Sequence, residues 1–427
     1  MERNYLYMNS SLKKTLGLGD ALALGIGTMI GAGIFMLTGI VASLTGPGAI
    51  YAYAVAGAII MCTALSFAEL ATAMPSAGGP YTFVKHAFSP FWGFVAGWSL
   101  WIGQSLGCAF YIIGFSQYTA YFLPWLPWKL VAFGFLITMI SIHIRGSKES
   151  TQLQSASVLI LLGILLVYLV LGIREVDNNL HEPLFPYGLS ALARSAAFII
   201  ISFLGFESIS TAAEEIKNPR IVVPLATILS VVIVTLLYMG VAYTATGIVS
   251  YRELGLTTTP IADTARVFMG PIGSKLIGFG CLLATLSSAN AGVLAASRIS
   301  FAMSRDGVLP GFLQKTHTLY NTPTAAIYTT GVIIAIALIR GNIHWLTEAS
   351  SFLHLYPFIL VNLALLQLRL FPDYRPAFKV PFGPVIPLIG AASCLGLILQ
   401  IDRQDVLLGV LLICLGFFAY FARNTRA

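Results

Sequence analysis

Gly25-Ile26-Gly27-Thr28-Met29-Ile30-Gly31-Ala32-Gly33-Ile34-Phe35 is the stretch on which the reading of this chain turns. It lies in an apolar run with no charged side chain between Asp20 and Glu69, which predicts a membrane-crossing helix. Yet four of its eleven residues are glycine, and Gly31-Ala32-Gly33 carries almost no side chain. Glycine costs a helix about 1 kcal/mol relative to alanine and frees the backbone to leave helical geometry. Hydrocarbon cannot satisfy the N–H and C=O groups so released, and such backbone is tolerated at bilayer depth only where it lines a buried, wet cavity. The prediction is that the first span breaks near Ile30–Ile34 and that the break is a binding site. A second reading uses the same glycines as a close-packing face, because Gly27 and Gly31 form a small-xxx-small pair.

The rest of the chain supplies the setting. Over 427 residues, 57% are hydrophobic and 10% charged, with a mean hydropathy of +0.84, the composition of a polytopic membrane protein. In such a chain the net charge of +7 reflects lysine and arginine in cytoplasmic loops rather than a nucleic-acid partner. The cysteines, Cys62, Cys108, Cys281, Cys394 and Cys414, fall in apolar spans without metal-ligand spacing, so they read as packing residues. The polar start, Met1 to Lys14, and the length of the first apolar stretch argue against a cleaved signal peptide, and no soluble domain is expected at either end.

A span needs roughly 20 apolar residues. Twelve stretches qualify, at about 20–44, 49–74, 91–123, 129–144, 153–173, 191–213, 222–249, 273–303, 323–340, 346–369, 383–401 and 405–421. The third and eighth are long enough to require tilt or extension beyond the bilayer. Basic residues such as Lys13, Lys14, Lys85, Arg145, Lys217, Arg220, Arg305 and Arg369 concentrate on one side, which places both termini in the cytoplasm and the protein in the cytoplasmic membrane. Pro260 to Met269 reads as a short amphipathic helix on the outer side, placed to act as a lid.

The sixth span is interrupted like the first: Ser202-Phe203-Leu204-Gly205-Phe206-Glu207 puts a serine, a glycine and an acid at mid-membrane. Interrupted spans at corresponding positions of two halves point to a transporter's substrate site. An offset of five spans makes the halves inverted repeats. The expected fold is therefore all-α, with repeats over about 20–173 and 191–369 and two peripheral helices over about 383–421, all in one transmembrane unit.

A broken helix offers unpaired N–H groups and a positive dipole end to an anion. Those near Ile30, Gly31, Ala32, Gly33 and Ile34 are candidates for a carboxylate. Carbonyls at the break around Ser202, Phe203, Leu204 and Gly205 would accept an ammonium group, so the two breaks together describe a site for a zwitterion. Phe203 and Phe206 would shape the pocket, although a core position serves Phe206 equally well. Glu207, an ionisable group inside the membrane, is a candidate for gating or coupling; tying loose backbone at its own break is the other reading. Glu69 reads as interfacial, and His354 as a hydrogen-bonded packing residue rather than a proton relay. Ser287 and Ser288 could ligate a small cation or bond to their own helix. With no nucleotide loop, nucleophile triad or phosphate cradle, nothing points to an enzyme.

These residues resemble the amino acid–polyamine–organocation (APC) superfamily of permeases, which share the LeuT-type fold. Gly31-Ala32-Gly33-Ile34-Phe35 is similar to the family's helix 1 break, and Pro75-Ser76-Ala77-Gly78-Gly79-Pro80-Tyr81 to its signature after helix 2. Phe203-Leu204-Gly205-Phe206-Glu207 with Ala213-Glu214-Glu215 and Asn218-Pro219 resembles helix 6 and its exit. Ser297-Arg298 through Ser304-Arg305-Asp306-Gly307 resembles the end of helix 8. The resemblance implies alternating access and a small amino acid or amine as substrate. Some cationic-amino-acid members carry an acid in helix 3 where this chain has Gly103, beside Gln104. Some proton-coupled members carry a lysine in helix 5 where the Gly146–Ser150 anchor points to Leu161. A neutral substrate follows, with Gly103 among the residues that set side-chain choice. By register with sodium-coupled members of the fold, the carbonyls of Gly27, Ile30 and Ala284 and the hydroxyls of Ser287 and Ser288 would hold one sodium ion, the only cofactor expected. An exchanger, or an inorganic-ion carrier or channel on the same fold, is the alternative; the oligomeric state is left open.

Overall fold

The computed structural model describes residue 14 and residues 16–74, 79–145, 151–213, 215–320 and 322–424. Lys13, Pro75 to Gly78, the Gly146–Ser150 anchor and Glu214 lie outside them. The described residues are 82% helix, with no strand among them. Among the described residues nine stretches are long and apolar enough to cross a membrane, and three shorter apolar helices, Leu18–Met29, Thr324–Arg340 and Val385–Ile398, accompany them.

The first interrupted span is two helices, α1 (Leu18–Met29) and α2 (Ala32–Thr45). Asp20 opens α1 by accepting the Gly17 N–H at 2.9 Å, which satisfies a donor that a helix start leaves unpaired. The break itself is narrower than the sequence predicts. Only Ile30 and Gly31 depart from helical geometry, while Ala32, Gly33 and Ile34 already form the first turn of α2. The reason is local. A first helical turn needs no intrahelical partner for its N–H groups, so the chain resumes its helix as soon as Gly31 has turned it.

Next come α3 (Ala49–Ala73), α4 (Gly79–Ala87) and α5 (Pro90–Phe122). At 33 residues, α5 is about 50 Å long, well beyond a hydrocarbon core of about 30 Å. Pro90 sits in its first turn, where a missing N–H does no harm. Then follow α6 (Trp128–Arg145) and α7 (Thr151–Gly172). The second interrupted span comprises α8 (Gly188–Phe198), a 3-10 turn (Ile199–Phe203) and a short α9 (Glu207–Thr211). Gly205 between them has φ +117°, a conformation that L side chains rarely adopt.

The chain continues through α10 (Pro219–Ile248), α11 (Tyr251–Leu254) and α12 (Pro260–Arg305). Gly270 (φ 66°, ψ −164°) kinks α12, so that Pro260 to Met269 is a separate helical segment, as the sequence predicts. The last helices are α13 (Thr324–Arg340), α14 (Ile343–Leu368), α15 (Val385–Ile398) and α16 (Arg403–Asn424). Buried α5 packs along α12 and α14, while α3 packs along α10. Leu130, Ile137, Leu159, Leu166, Val332, Ile336 and Phe418 stand exposed on the outside, an apolar coat that lipid would cover. All five cysteines are free.

Glu69, at the end of α3, is fully buried. Its carboxylate accepts from both Arg369 nitrogens Nε and Nη2, from the Val380 N–H (2.6 Å) and from the Tyr374 hydroxyl (3.4 Å). A buried carboxylate needs such a set of donors. The set pins the connection between α14 and α15 onto α3.

Candidate functional site

The two interruptions meet. At the end of α1 the Gly31 N–H donates to Met29 O (2.9 Å) instead of to Gly27 four residues back, which frees the Gly27 carbonyl from the helical ladder. Thr28 Oγ1 lies 2.9 Å from Gly205 O and 3.1 Å from Ser208 Oγ, joining α1 to the second break. The Tyr238 hydroxyl, from the middle of α10, lies 2.8 Å from Met29 O and 3.0 Å from Ser202 O. One proton thus serves a loose carbonyl from each broken span.

Glycine permits this approach. A methyl group on Gly33 would lie 2.2 Å from Ser202 Oγ and 2.9 Å from Ser202 Cα. A methyl on Gly31 would lie 2.8 Å from Ser288 Oγ and 2.9 Å from Tyr111 Cε1, and one on Gly205 would lie 2.6 Å from Thr28 Cβ. The start of α2, the Ser202 turn, Tyr111 on α5 and Ser288 on α12 therefore converge on Gly31–Gly33. No side chain caps α2, so the first-turn N–H groups at Ala32, Gly33 and Ile34 keep their dipole end for a ligand. Ser202 Oγ is buried with no hydrogen-bond partner among the described residues. An orphaned hydroxyl of this kind costs about 1–3 kcal/mol unless something polar reaches it.

The remaining residues divide. Phe203 is buried against Tyr238 (ring centroids 5.3 Å apart), and Leu204 lies beside it in the break. Phe206 belongs to an aromatic core with Phe67 (5.2 Å) and Phe358 (5.4 Å), the packing role that the sequence left open for it. Glu207 Oε2 accepts the Gly205 N–H at 2.9 Å, tying the backbone at its own break. Gly103 stands apart from the two breaks. Its absent side chain would meet His354 Nδ1 and Leu353 Cβ, each at 2.9 Å, and its carbonyl accepts from Ser350 on α14. His354 packs there with Ser350 O (2.8 Å) and Gln104 Oε1 (3.1 Å) on its two nitrogens.

For a cation, the end of α1 and α12 are adjacent. Ser288 Oγ is 3.4 Å from Thr28 O, beside the freed Gly27 carbonyl and the non-helical Ile30, and Ala284 is buried one turn earlier. Ser288 is thus brought against the end of α1. Thr28, Tyr111 and Tyr238 were missed by sequence reasoning. A hydroxyl inside an apolar span was the available signal, since buried polar atoms demand partners.

Away from the breaks, Asp306 after α12 receives the Lys85 ammonium (2.5 Å) and the Tyr81 hydroxyl (2.7 Å), clasping α4 to the end of α12. Burial raises the Asp306 pKa, but these two donors outweigh it and hold the carboxyl below its ordinary value.

Comparison with known proteins agrees with this architecture. The family profile described as amino acid permease matches residues 16–422. The chain is 30% identical over 438 residues to a methylthioribose transporter of Bacillus subtilis (strain 168), covering 98% of this chain and 95% of that protein. It is also 30% identical over 440 residues to the branched-chain amino acid permease BcaP of the same organism, covering 97% and 94%. The BcaP of Lactococcus lactis subsp. cremoris (strain MG1363) is 26% identical, covering 95% and 94%. These relatives are permeases and transporters, not enzymes. With uncapped helix ends meeting inside an apolar bundle and a match along nearly its whole length, the chain belongs to the amino acid permease family of the APC superfamily.

Proposed function

We propose that this chain is a secondary active transporter of the cytoplasmic membrane, moving a neutral amino acid or a related small amine by alternating access. Its twelve spans form two inverted five-helix halves plus α15 and α16, with both termini in the cytoplasm. The observation that carries the reading is the meeting of an uncapped helix start at Ala32–Ile34 with the orphaned Ser202 hydroxyl. The N–H groups receive the carboxylate. Carbonyls of Phe203 and Leu204 receive the ammonium group, since Ser202 O already has Tyr238. Tyr111 lies close enough to Gly31 to cover the bound molecule.

Sodium is the proposed coupling ion, held by Gly27, Ile30 and Ala284 carbonyls with Ser287 and Ser288. A membrane potential contributes about 2.3 kcal/mol per charge per 100 mV, enough for one ion to drive accumulation. The resemblance to a methylthioribose transporter supports a second reading, in which the break takes a small neutral polyol instead of a zwitterion.

A thermal-shift screen of the purified protein against all amino acids, common amines and methylthioribose decides between these, because a ligand of the folded state raises its melting temperature. Stabilisation by neutral amino acids is the expected result, and stabilisation by methylthioribose alone would replace it. Uptake into proteoliposomes under separate sodium and proton gradients tests the coupling. Sodium-independent uptake, or uptake unaltered by Ser287→Ala with Ser288→Ala, would remove the ion from the proposal.

A further inference from the structure

Three cationic side chains frame a pocket that the transport reading does not use. Lys14, Lys217, Asn218, Pro219, Arg220 and Ile221 enclose about 520 Å³. The lining holds no acid, and none of the three cations makes an ion pair among the described residues. Like charges gathered around one concavity repel unless an anion joins them.

The pocket also opens onto an apolar track. Ile221 is 69% exposed, and Leu225, Val232 and Leu236 continue from it up the outward face of α10. These positions repeat at helical spacing and form one stripe. A cationic pocket at the foot of an apolar stripe has the two-part chemistry of a phospholipid.

From this juxtaposition we infer that the pocket binds the phosphate headgroup of one anionic phospholipid, with its acyl chains lying along Ile221, Leu225, Val232 and Leu236. The assignment to a lipid rests on the proposed cytoplasmic placement of this end, where anionic lipid meets basic pockets between helices. The headgroup bridges two chain segments. Lys14 precedes α1, whereas Lys217 and Asn218 lead into α10 and Pro219 to Ile221 open it. Those segments already touch beside the pocket, where the Leu16 N–H donates to Glu215 O (3.0 Å) and the Lys217 N–H to Leu16 O (2.8 Å). A bound phosphate therefore reinforces the contact between the ends of both interrupted spans.

Native mass spectrometry of the purified full-length protein in detergent tests the site without requiring transport. The probes are dioleoylphosphatidylglycerol, dioleoylphosphatidylcholine and, as the soluble headgroup, glycerol 1-phosphate. One phosphatidylglycerol should be retained at least tenfold more tightly than phosphatidylcholine. Lys217→Gln with Arg220→Gln should weaken phosphatidylglycerol roughly 25-fold, at about fivefold per basic residue, and leave phosphatidylcholine unchanged. Lys129→Gln with Arg174→Gln, which removes two charges elsewhere, should change neither. Both pairs are on exposed residues, and melting temperature with size-exclusion profile verifies the fold. Equal retention of the two lipids, retention that survives Lys217→Gln with Arg220→Gln, or an equal loss in the control pair overturns the proposal. Displacement of phosphatidylglycerol by glycerol 1-phosphate at matching concentration also overturns it, assigning the pocket to a soluble phosphate.

Discussion

Gly33→Ala is the most informative substitution at the crossing of the two breaks. The added methyl would stand 2.2 Å from Ser202 Oγ and 2.6 Å from its Cβ, which a rotation of the serine cannot relieve in full, because Ser202 Cα is only 2.9 Å away. Ordinary contact begins near 3.4 Å and the rotation leaves the Ser202 Cβ in place, so the α2 start and the Ser202 turn must separate by about 0.8 Å. Overpacking of this kind costs about 1–3 kcal/mol. Alanine is otherwise the better helix former by about 1 kcal/mol, which partly offsets the clash. Gly163→Ala on α7, where nothing lies within 4 Å, isolates that propensity term and should match or slightly exceed the wild type. In detergent, Gly33→Ala should melt below both proteins and lose its ligand-induced shift. Ser202→Gly in the same chain removes two of the three collisions and should recover part of the stability, a coupling that independent sites would not show. Wild-type melting and wild-type ligand response in Gly33→Ala would refute the close approach from which the site is built.

Tyr238→Phe strips the hydroxyl shared by Met29 O and Ser202 O and should cost about 1–3 kcal/mol, read as a lower melting temperature with a smaller substrate response. Glu69→Gln leaves the Arg369 guanidinium without its carboxylate, and a broken buried pair costs about 3–5 kcal/mol, so monodisperse yield and melting temperature should both fall. The Asp306 clasp has a defined pH sign. Its folded pKa lies below the unfolded value of about 3.9, so its contribution is complete at neutral pH and lost as pH falls below about 4. Asp306→Asn should flatten the stability profile in that acid window, measured by melting temperature against pH; an unaltered profile would show that the clasp contributes nothing.

The positions of the helices were readable from the sequence because apolarity over a span is a local property. The Gly31 turn and the Gly205 turn were readable for the same reason: glycine density marks where a backbone is free to leave the helix, wherever the rest of the chain lies. Even there, the extent of the first break was settled by backbone hydrogen bonding, which restarts the helix at Ala32. Which polar groups meet is a different matter. A buried membrane helix such as α5 is apolar all round and has no amphipathic stripe to say which face meets which neighbour. Family resemblance is what named Gly103, and only the tertiary structure shows that it lies against His354 and Leu353. Tyr238 comes 36 residues after Ser202, and Tyr111 has no sequence neighbour at either break, yet both reach the crossing. The same holds for His344 and Glu348 on α14, which meet Asp402 and Asp405 within 4.8 Å only because α16 folds back beside them. Hydropathy places each helix across the membrane independently, but contacts between helices depend on the rotation of each about its own axis. In an apolar medium that rotation is chosen by packing and by the partners each buried polar atom finds.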